Sequence, residues 1–250
     1  MDTREAFLST SNTLMHAMQE LSNYRAFGNT ALIATLSVNA IDKEVYESDD
    51  SPAIKELKKI SPTEYNVFSM LYNESSIVLA YSWLDTYLSE IEEVIFLNNP
   101  ESLGVSVEVK FGKVLACKTI DELIHDLAKK RSRERGQWGL KNRVVELNKR
   151  HGFSISVPDS ELEWISEFRN SLIHNRRVSS FSPQKGVVKY STVSRRAASE
   201  HDEVKRFIGL SFKILSELYT GCASQLGITR RFPRHRKNLE FISRFPNLWG

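Results

Sequence analysis

Apolar residues recur at three- and four-residue intervals along most of this chain, the spacing that lines one face of a helix. Over residues 1–26 the stripe is Phe7, Leu8, Leu14, Met15, Met18 and Leu21, and Gly28-Asn29 is expected to end that helix. The next apolar run, Ala31 to Val38, is too short and too uniform for its period to separate strand from helix. Residues 42–60 are acidic and polar and read as an exposed loop. A start signal follows at Ser61-Pro62-Thr63-Glu64. Ser61 can cap, Pro62 suits the first helical position and Glu64 closes a capping box. The helix it opens should run to about Asn98, because Pro100 bars its continuation. Its apolar positions (among them Phe68, Leu71, Val78, Leu84, Leu88, Ile91 and Ile95) cover a broad face, as suits the centre of a bundle.

Beyond Pro100 the period changes. Val105 to Phe111 alternates, and Gly112-Lys113 could turn it into Val114-Leu115-Ala116, which predicts a small β-hairpin. Thr119-Ile120-Asp121-Glu122 is a second capping box, opening a helix with Leu123, Ile124 and Leu127. After Gly136 a further helix carries Leu140, Val144, Val145 and Leu147. Pro158 restarts helix, with Ser160 and Glu163 as its expected box and Ile165, Phe168 and Leu172 as its stripe. Residues 179–194 read as loop, with Val187 to Tyr190 as a short strand. A last helix runs from Ser199 to about Leu226, ended by Gly227. The fold class expected is mainly α, a helical bundle with small β-hairpin insertions. The expected division is an N-terminal extension over 1–60, a helical domain over 61–228 and a tail over 229–250.

Composition narrows the class. The chain has 250 residues, few glycines and prolines, and a net charge of only +3. It can bury a full core without staples, and it is not a polycation. Its two cysteines, Cys117 and Cys222, lie far apart and suggest neither a disulfide framework nor a zinc site. A reducing cytoplasm is the location expected. The N-terminus lacks the pattern of a signal peptide. No run of eighteen apolar residues predicts a membrane span, and no cofactor motif is present.

Charge is spread unevenly. Residues 1–60 hold 9 acids and 6 bases, whereas residues 129–150 hold 9 bases and 2 acids. Lys129, Lys130, Arg131, Arg133 and Arg135 open the basic run, and such a patch attracts a phosphate backbone without regard to sequence. A solvated helix face is the commoner meaning of a charge run. The tail, Arg230 to Gly250, has 6 bases and 1 acid interleaved with Phe232, Phe241, Phe245 and Trp249. Docking of those aromatics on the chain's own core is favoured over stacking on single-stranded nucleic acid.

The stretch that carries candidate chemistry is Arg169-Asn170-Ser171-Leu172-Ile173-His174. Five helical steps separate Arg169 from His174 by about 7.5 Å along the axis and by 140° around it. A long arginine can fold back along the helix, so both heads can reach one phosphate. Two other Arg-x4-His matches exist. Arg196 to His201 precedes a helix start, and Arg230 to His235 is broken by Pro233. Arg176 and Arg177 add charge directly after the motif.

This motif resembles the Arg-polar-x-x-x-His signature of the HEPN superfamily (higher eukaryotes and prokaryotes nucleotide-binding), many of whose members are metal-independent ribonucleases. A second segment, Ile77 to Leu88, resembles the first long helix of several prokaryotic HEPN families, with Asp85 at the acidic position. An acid beside Leu84 and Tyr87 is expensive to bury unpaired, and Arg169 is its expected partner. The resemblance implies an HEPN-like bundle in which His174 moves protons, Arg169 holds phosphate oxygens, Asn170 positions or donates, and Asp85 supports Arg169. It implies RNA as substrate, no metal or cofactor, a homodimer with a composite site, and the setting of a toxin or phage-defence effector, with an antitoxin or sensor protein as a further partner. The alternative is a non-catalytic HEPN-like protein that binds RNA or nucleotide, or acts as a scaffold.

Overall fold

The computed structural model describes residues 2–40, 59–60, 62–104, 109–178 and 201–229; at 33–40, 62–63, 65–66, 174–178 and 201–202 it describes the backbone alone. Its α-helices are α1 (Thr3–Ala40), α2 (Pro62–Asn98), α3 (Phe111–Ala116), α4 (Ile120–Arg135), α5 (Leu140–His151), α6 (Asp159–Val178) and α7 (His201–Gln225). A 3-10 turn, Pro100–Leu103, follows α2. No strand occurs among the described residues, and no helix there is long and apolar enough to cross a membrane. The mainly helical class expected from periodicity is therefore the one observed.

Several boundaries follow from local chemistry. Helix α2 starts at Pro62 and stops at Asn98, two residues before Pro100. The Thr119 hydroxyl accepts from the Glu122 amide at 3.1 Å, and the Glu122 carboxylate accepts from the Lys118 amide at 2.7 Å. The Thr119 cap thus forms as expected, while the Glu122 carboxylate reaches one residue past the N-cap amide, to Lys118. Helix α5 ends on Gly152 at φ +63, and Gly227, also at φ +63, closes α7. There the Ile228 amide reaches back to the Ala223 carbonyl at 2.8 Å, the long bond of a Schellman turn.

The chain divides into two compact units, which cut across the expected segments 1–60, 61–228 and 229–250. One comprises Met1–Ala17, Ala80–Asn170 and Phe207–Arg234. Its core holds Phe7, Leu84, Leu88, Ile91, Val144, Leu147, Leu162, Ile165, Phe207 and Leu218, all buried. The Phe7 and Tyr219 rings lie 5.1 Å apart. Tyr87 shares a 3.1 Å hydrogen bond with Ser11. Leu103 of the 3-10 turn packs with Phe96 and Ala128. Residues 153–157 belong to no helix, and Phe153, Ile155 and Val157 are buried. Asn148 holds that segment by pairing both backbone groups of Ile155 at 3.0 Å.

The other unit comprises Met18–Leu79, Ser171–Arg206 and His235–Gly250. Leu21, Tyr72, Ile77, Leu172 and Val204 are buried in it. The Tyr72 ring packs 5.0 Å from that of Tyr24, and its hydroxyl donates to the Arg25 carbonyl. Burial pushes the Tyr72 hydroxyl up to about 12 and pulls the Arg25 guanidinium down.

Three local expectations are corrected. Gly28 does not end the first helix: α1 passes straight through it. A β-carbon at Gly28 would stand 2.1 Å from the Tyr72 ring, so this glycine serves close packing. The hairpin does not form as expected, since Phe111 to Ala116 is helix; residues 105–108 lie outside the described set, as do the strand expected at 187–190 and the tail from 230. Ser160 and Glu163 form no capping box. Helix α6 starts one residue before Ser160, and the Glu163 carboxylate accepts instead from Lys141 at 2.7 Å.

Candidate functional site

One stripe of α2 organises the polar chemistry. Tyr81, Asp85, Ser89, Glu92 and Phe96 follow one another at four- and three-residue steps, so they share a face. Three arginines, one each from α4, α5 and α6, settle on that face. Arg143 of α5 is buried and donates to Asp85 at 2.7 Å, to Ser89 at 2.9 Å, and to both carboxylate oxygens of Glu92 at 3.3 and 2.9 Å. Arg135 of α4 lies 4.8 Å over the Phe96 ring and 5.6 Å from that of Trp138, and donates to Glu146 at 3.1 Å. The Ser132 hydroxyl ties α4 to the same stripe by donating to the Ser89 carbonyl at 2.6 Å.

Arg169 of α6 is held differently. Its guanidinium stands 5.1 Å over the Tyr81 ring and donates to the Asn170 amide oxygen at 3.0 Å. Arg169 is half-buried and Asn170 exposed. Arg169 has no ion pair with a carboxylate among the described residues. This corrects the expected role of Asp85. Arg143 takes that carboxylate, and Asp85 remains 49% exposed. One helical turn separates Asp85 from Tyr81, and the aromatic ring takes Arg169 instead.

Burial sets the protonation balance of the network. It pushes the Glu92 carboxyl up from the usual range, against the pull of Arg143 and Arg135. It lowers Arg135 in the same way. His151, partly buried near Arg135, is lowered by burial first and by that cation second.

The motif is brought together in part. Arg169 and Asn170 are bonded neighbours on α6. His174 follows on the same helix, with its side chain outside the described residues, as are those of Arg176 and Arg177. The expected RNA-binding run is largely neutralised. Arg135 is buried and does not belong to an RNA surface. Lys130 and Arg131 pair with Glu134 at 3.7 and 3.3 Å. Lys141 pairs with Asp159 and Glu163 at 3.3 and 2.7 Å, hydrogen bonds that raise it. Arg150 reaches Glu146 at 3.0 Å. Lys129, Arg133 and Lys149 remain without an ion pair among the described residues, and all three are exposed.

Tyr81, Arg143 and Glu92 were not singled out from sequence. The available signal was the polar stripe at 85, 89 and 92 inside an otherwise apolar helix. Among the described residues, no three His, Cys, Asp or Glu side chains stand close enough to share a metal ion. Comparison with protein-family models, with curated proteins and with solved structures found no match.

Proposed function

We propose that the chain is an HEPN-type endoribonuclease that uses Arg169, Asn170 and His174 to cleave RNA through the 2′-hydroxyl, without need of a metal. The observation that carries this reading is the state of Arg169. Arg135 and Arg143 are buried against carboxylates, whereas Arg169 is a half-exposed cation fixed by an aromatic ring and an amide. A guanidinium so held keeps donors free for phosphate oxygens, and its planar fork matches them.

The chemistry follows from the substrate. RNA carries its own nucleophile, and the enzyme must align it, stabilise charge on the phosphorane and move two protons. His174 takes the proton of the 2′-hydroxyl, since an imidazole titrates near neutrality. The 2′-oxygen bonds to phosphorus, the bond to the 5′-oxygen breaks, and that oxygen takes a proton from a second copy's motif or from water. The products are a 2′,3′-cyclic phosphate and a 5′-hydroxyl. Arg169 and Asn170 face the developing charge. The setting under this reading is a toxin or phage-defence effector acting on cellular RNA.

The test is incubation of purified protein with tRNA and total RNA in EDTA beside the Arg169→Ala/His174→Ala variant. Wild type alone should cleave and leave cyclic phosphate ends. Equal cleavage by both would remove this site. Salt-sensitive RNA binding without cleavage would favour the binding-module reading.

A further inference from the structure

His151 ends α5 at a point where a charge is out of place. A histidine in the last turn of a helix ordinarily gains from protonation, because free carbonyls there carry partial negative charge. Here carbonyls of that turn are taken. That of Leu147 accepts from the Gly152 and Phe153 amides, and that of His151 accepts from the Gln225 side chain. The imidazole lies edge-on to Phe96, with 6.2 Å between ring centroids, and Arg135 covers the face of the same phenyl ring at 4.8 Å. Arg135 is 1% exposed, and its Nε and Nη1 have no acceptor among the described residues. Nε2 of His151 is closed to solvent and has no partner there either. The corner is thus rich in donors and short of acceptors. Glu146 already pairs with Arg135 at 3.1 Å and with Arg150 at 3.0 Å, and Glu92 is taken by Arg143. A neutral imidazole with its proton on Nδ1 brings a lone pair on Nε2; an imidazolium brings only another donor and a second buried cation.

The same corner fastens the end of α5 to α7. Gln225 holds the His151 carbonyl. Gly152 turns the chain at φ +63, and Phe153 then packs so closely on α7 that a β-carbon at Gly221 would stand 2.4 Å from its ring. The Ser156 amide and hydroxyl donate to Glu217 of α7 at 2.9 and 2.7 Å. We propose that His151 is an acid-operated latch: neutral, it seats the end of α5 against Phe96 and Arg135, and protonated, it releases residues 151–157 from α7. The charges around it favour the closed, neutral form. Burial first, then Arg135 of α4, holds the imidazole below its usual range; Arg150 of α5 adds to this and Glu146 opposes it. Helix α2 meets the ring with Phe96 and α7 meets the residue with Gln225, neither of which titrates in this range. The opened chain therefore binds the proton more tightly than the closed one. Closure is complete above the ordinary imidazole value and weakens as pH falls from there towards the lower folded value.

The latch does not rest on the ribonuclease reading, and its readout is backbone protection rather than cleavage. Amide hydrogen exchange of the full chain at about pH 7.5 and about pH 5, either side of the imidazole range, follows it. Corrected for intrinsic rates, protection over residues 148–157 should fall at least about tenfold in acid. In His151→Gln, which keeps a neutral acceptor at every pH, protection over that stretch should be the same at both. Followed by NMR, the His151 imidazole should titrate below the exposed His125. As a second arm, Arg135→Met should narrow that gap and shrink the loss of protection. Protection indifferent to pH in the wild type overturns the proposal. So does a loss in His151→Gln equal to that of the wild type, or a His151 that titrates at or above His125.

Discussion

Arg143→Ala tests whether the α2 stripe is held by its arginines. The substitution removes four donated hydrogen bonds. The cost is not shared equally among the partners. Asp85 is 49% exposed, so water can replace the lost guanidinium there. Glu92 is fully buried, and its two oxygens would lose both donors. Removing one partner of a buried pair costs about 3–5 kcal/mol, mostly the penalty of the stranded charge. For a chain of this size roughly 2–4 °C accompanies each kcal/mol, so melting should fall on the order of 10 °C. The pH dependence gives the signature. Burial already raises the Glu92 carboxyl, and without Arg143 it rises further. A carboxyl raised in the folded state binds its proton more tightly there than in the unfolded chain. Its destabilising effect is therefore absent below the unfolded value and grows as pH climbs through the folded one. The deficit of Arg143→Ala should be largest above neutrality and shrink towards pH 5. Arg143→Met/Glu92→Leu, which removes both charges, should recover much of the loss. Calorimetry across that pH range checks all three points. A shift below about 2 °C, or a deficit that grows with acid, would refute the argument.

Four further outcomes follow. Gly28→Ala should lower stability by about 1–3 kcal/mol by driving a methyl into the Tyr72 ring, even though alanine favours helix by about 1 kcal/mol; thermal melting reads the sign. Under the proposed function, Tyr81→Phe should leave RNA cleavage near wild type, while Tyr81→Leu should reduce it about 2- to 30-fold, the range a cation–π contact spans. If two copies share a site, mixing Arg169→Ala with His174→Ala chains should regain part of the cleavage that neither has alone; no recovery would assign the chemistry to one chain. Burial pushes the Cys222 thiol up to about 12, so a thiol reagent at pH 8 should label the half-buried Cys117 and spare Cys222 until the chain unfolds, as peptide mapping would show.

Elements with strong local punctuation were legible before the structure. Pro62 and Pro100 bracket α2 because proline acts through φ and a missing donor, both fixed by the residue itself. Thr119 with Glu122, and Gly227, likewise act within one turn of chain. Gly28 misled because its reason is not local. It sits inside α1 where the Tyr72 ring, forty-four residues later in the chain, needs the space of a side chain. Phe111 to Ala116 misled for a related reason. Its period-two pattern and Gly112 suit a hairpin locally, but side-chain periodicity over six residues separates strand from helix poorly. The motif helix was placed correctly, whereas the partner of Arg169 was not. Charge predicts that an acid needs a cation; it does not say which of several arginines is within reach.

The basic run shows why that distinction governs function. Counted along the chain, residues 129–150 carry nine bases against two acids, enough to suggest a phosphate-binding surface. Those acids are not the only counter-charges the bases meet. Asp85 and Glu92 come from α2, and Asp159 and Glu163 from α6, and they take Arg143 and Lys141. Glu134 and Glu146 serve two bases each. Three cations of the run have no ion pair among the described residues, and the long-range attraction that nine would exert falls accordingly. Under the proposed function, RNA is then held less by a general basic face than by the few cations left open, Arg169 among them. Under the proposed function the salt dependence of RNA binding should be correspondingly shallow. A slope of log affinity against log salt for about four phosphate contacts, from Lys129, Arg133, Lys149 and Arg169, fits this surface, and one for about ten would mean that the ion pairs open when RNA binds.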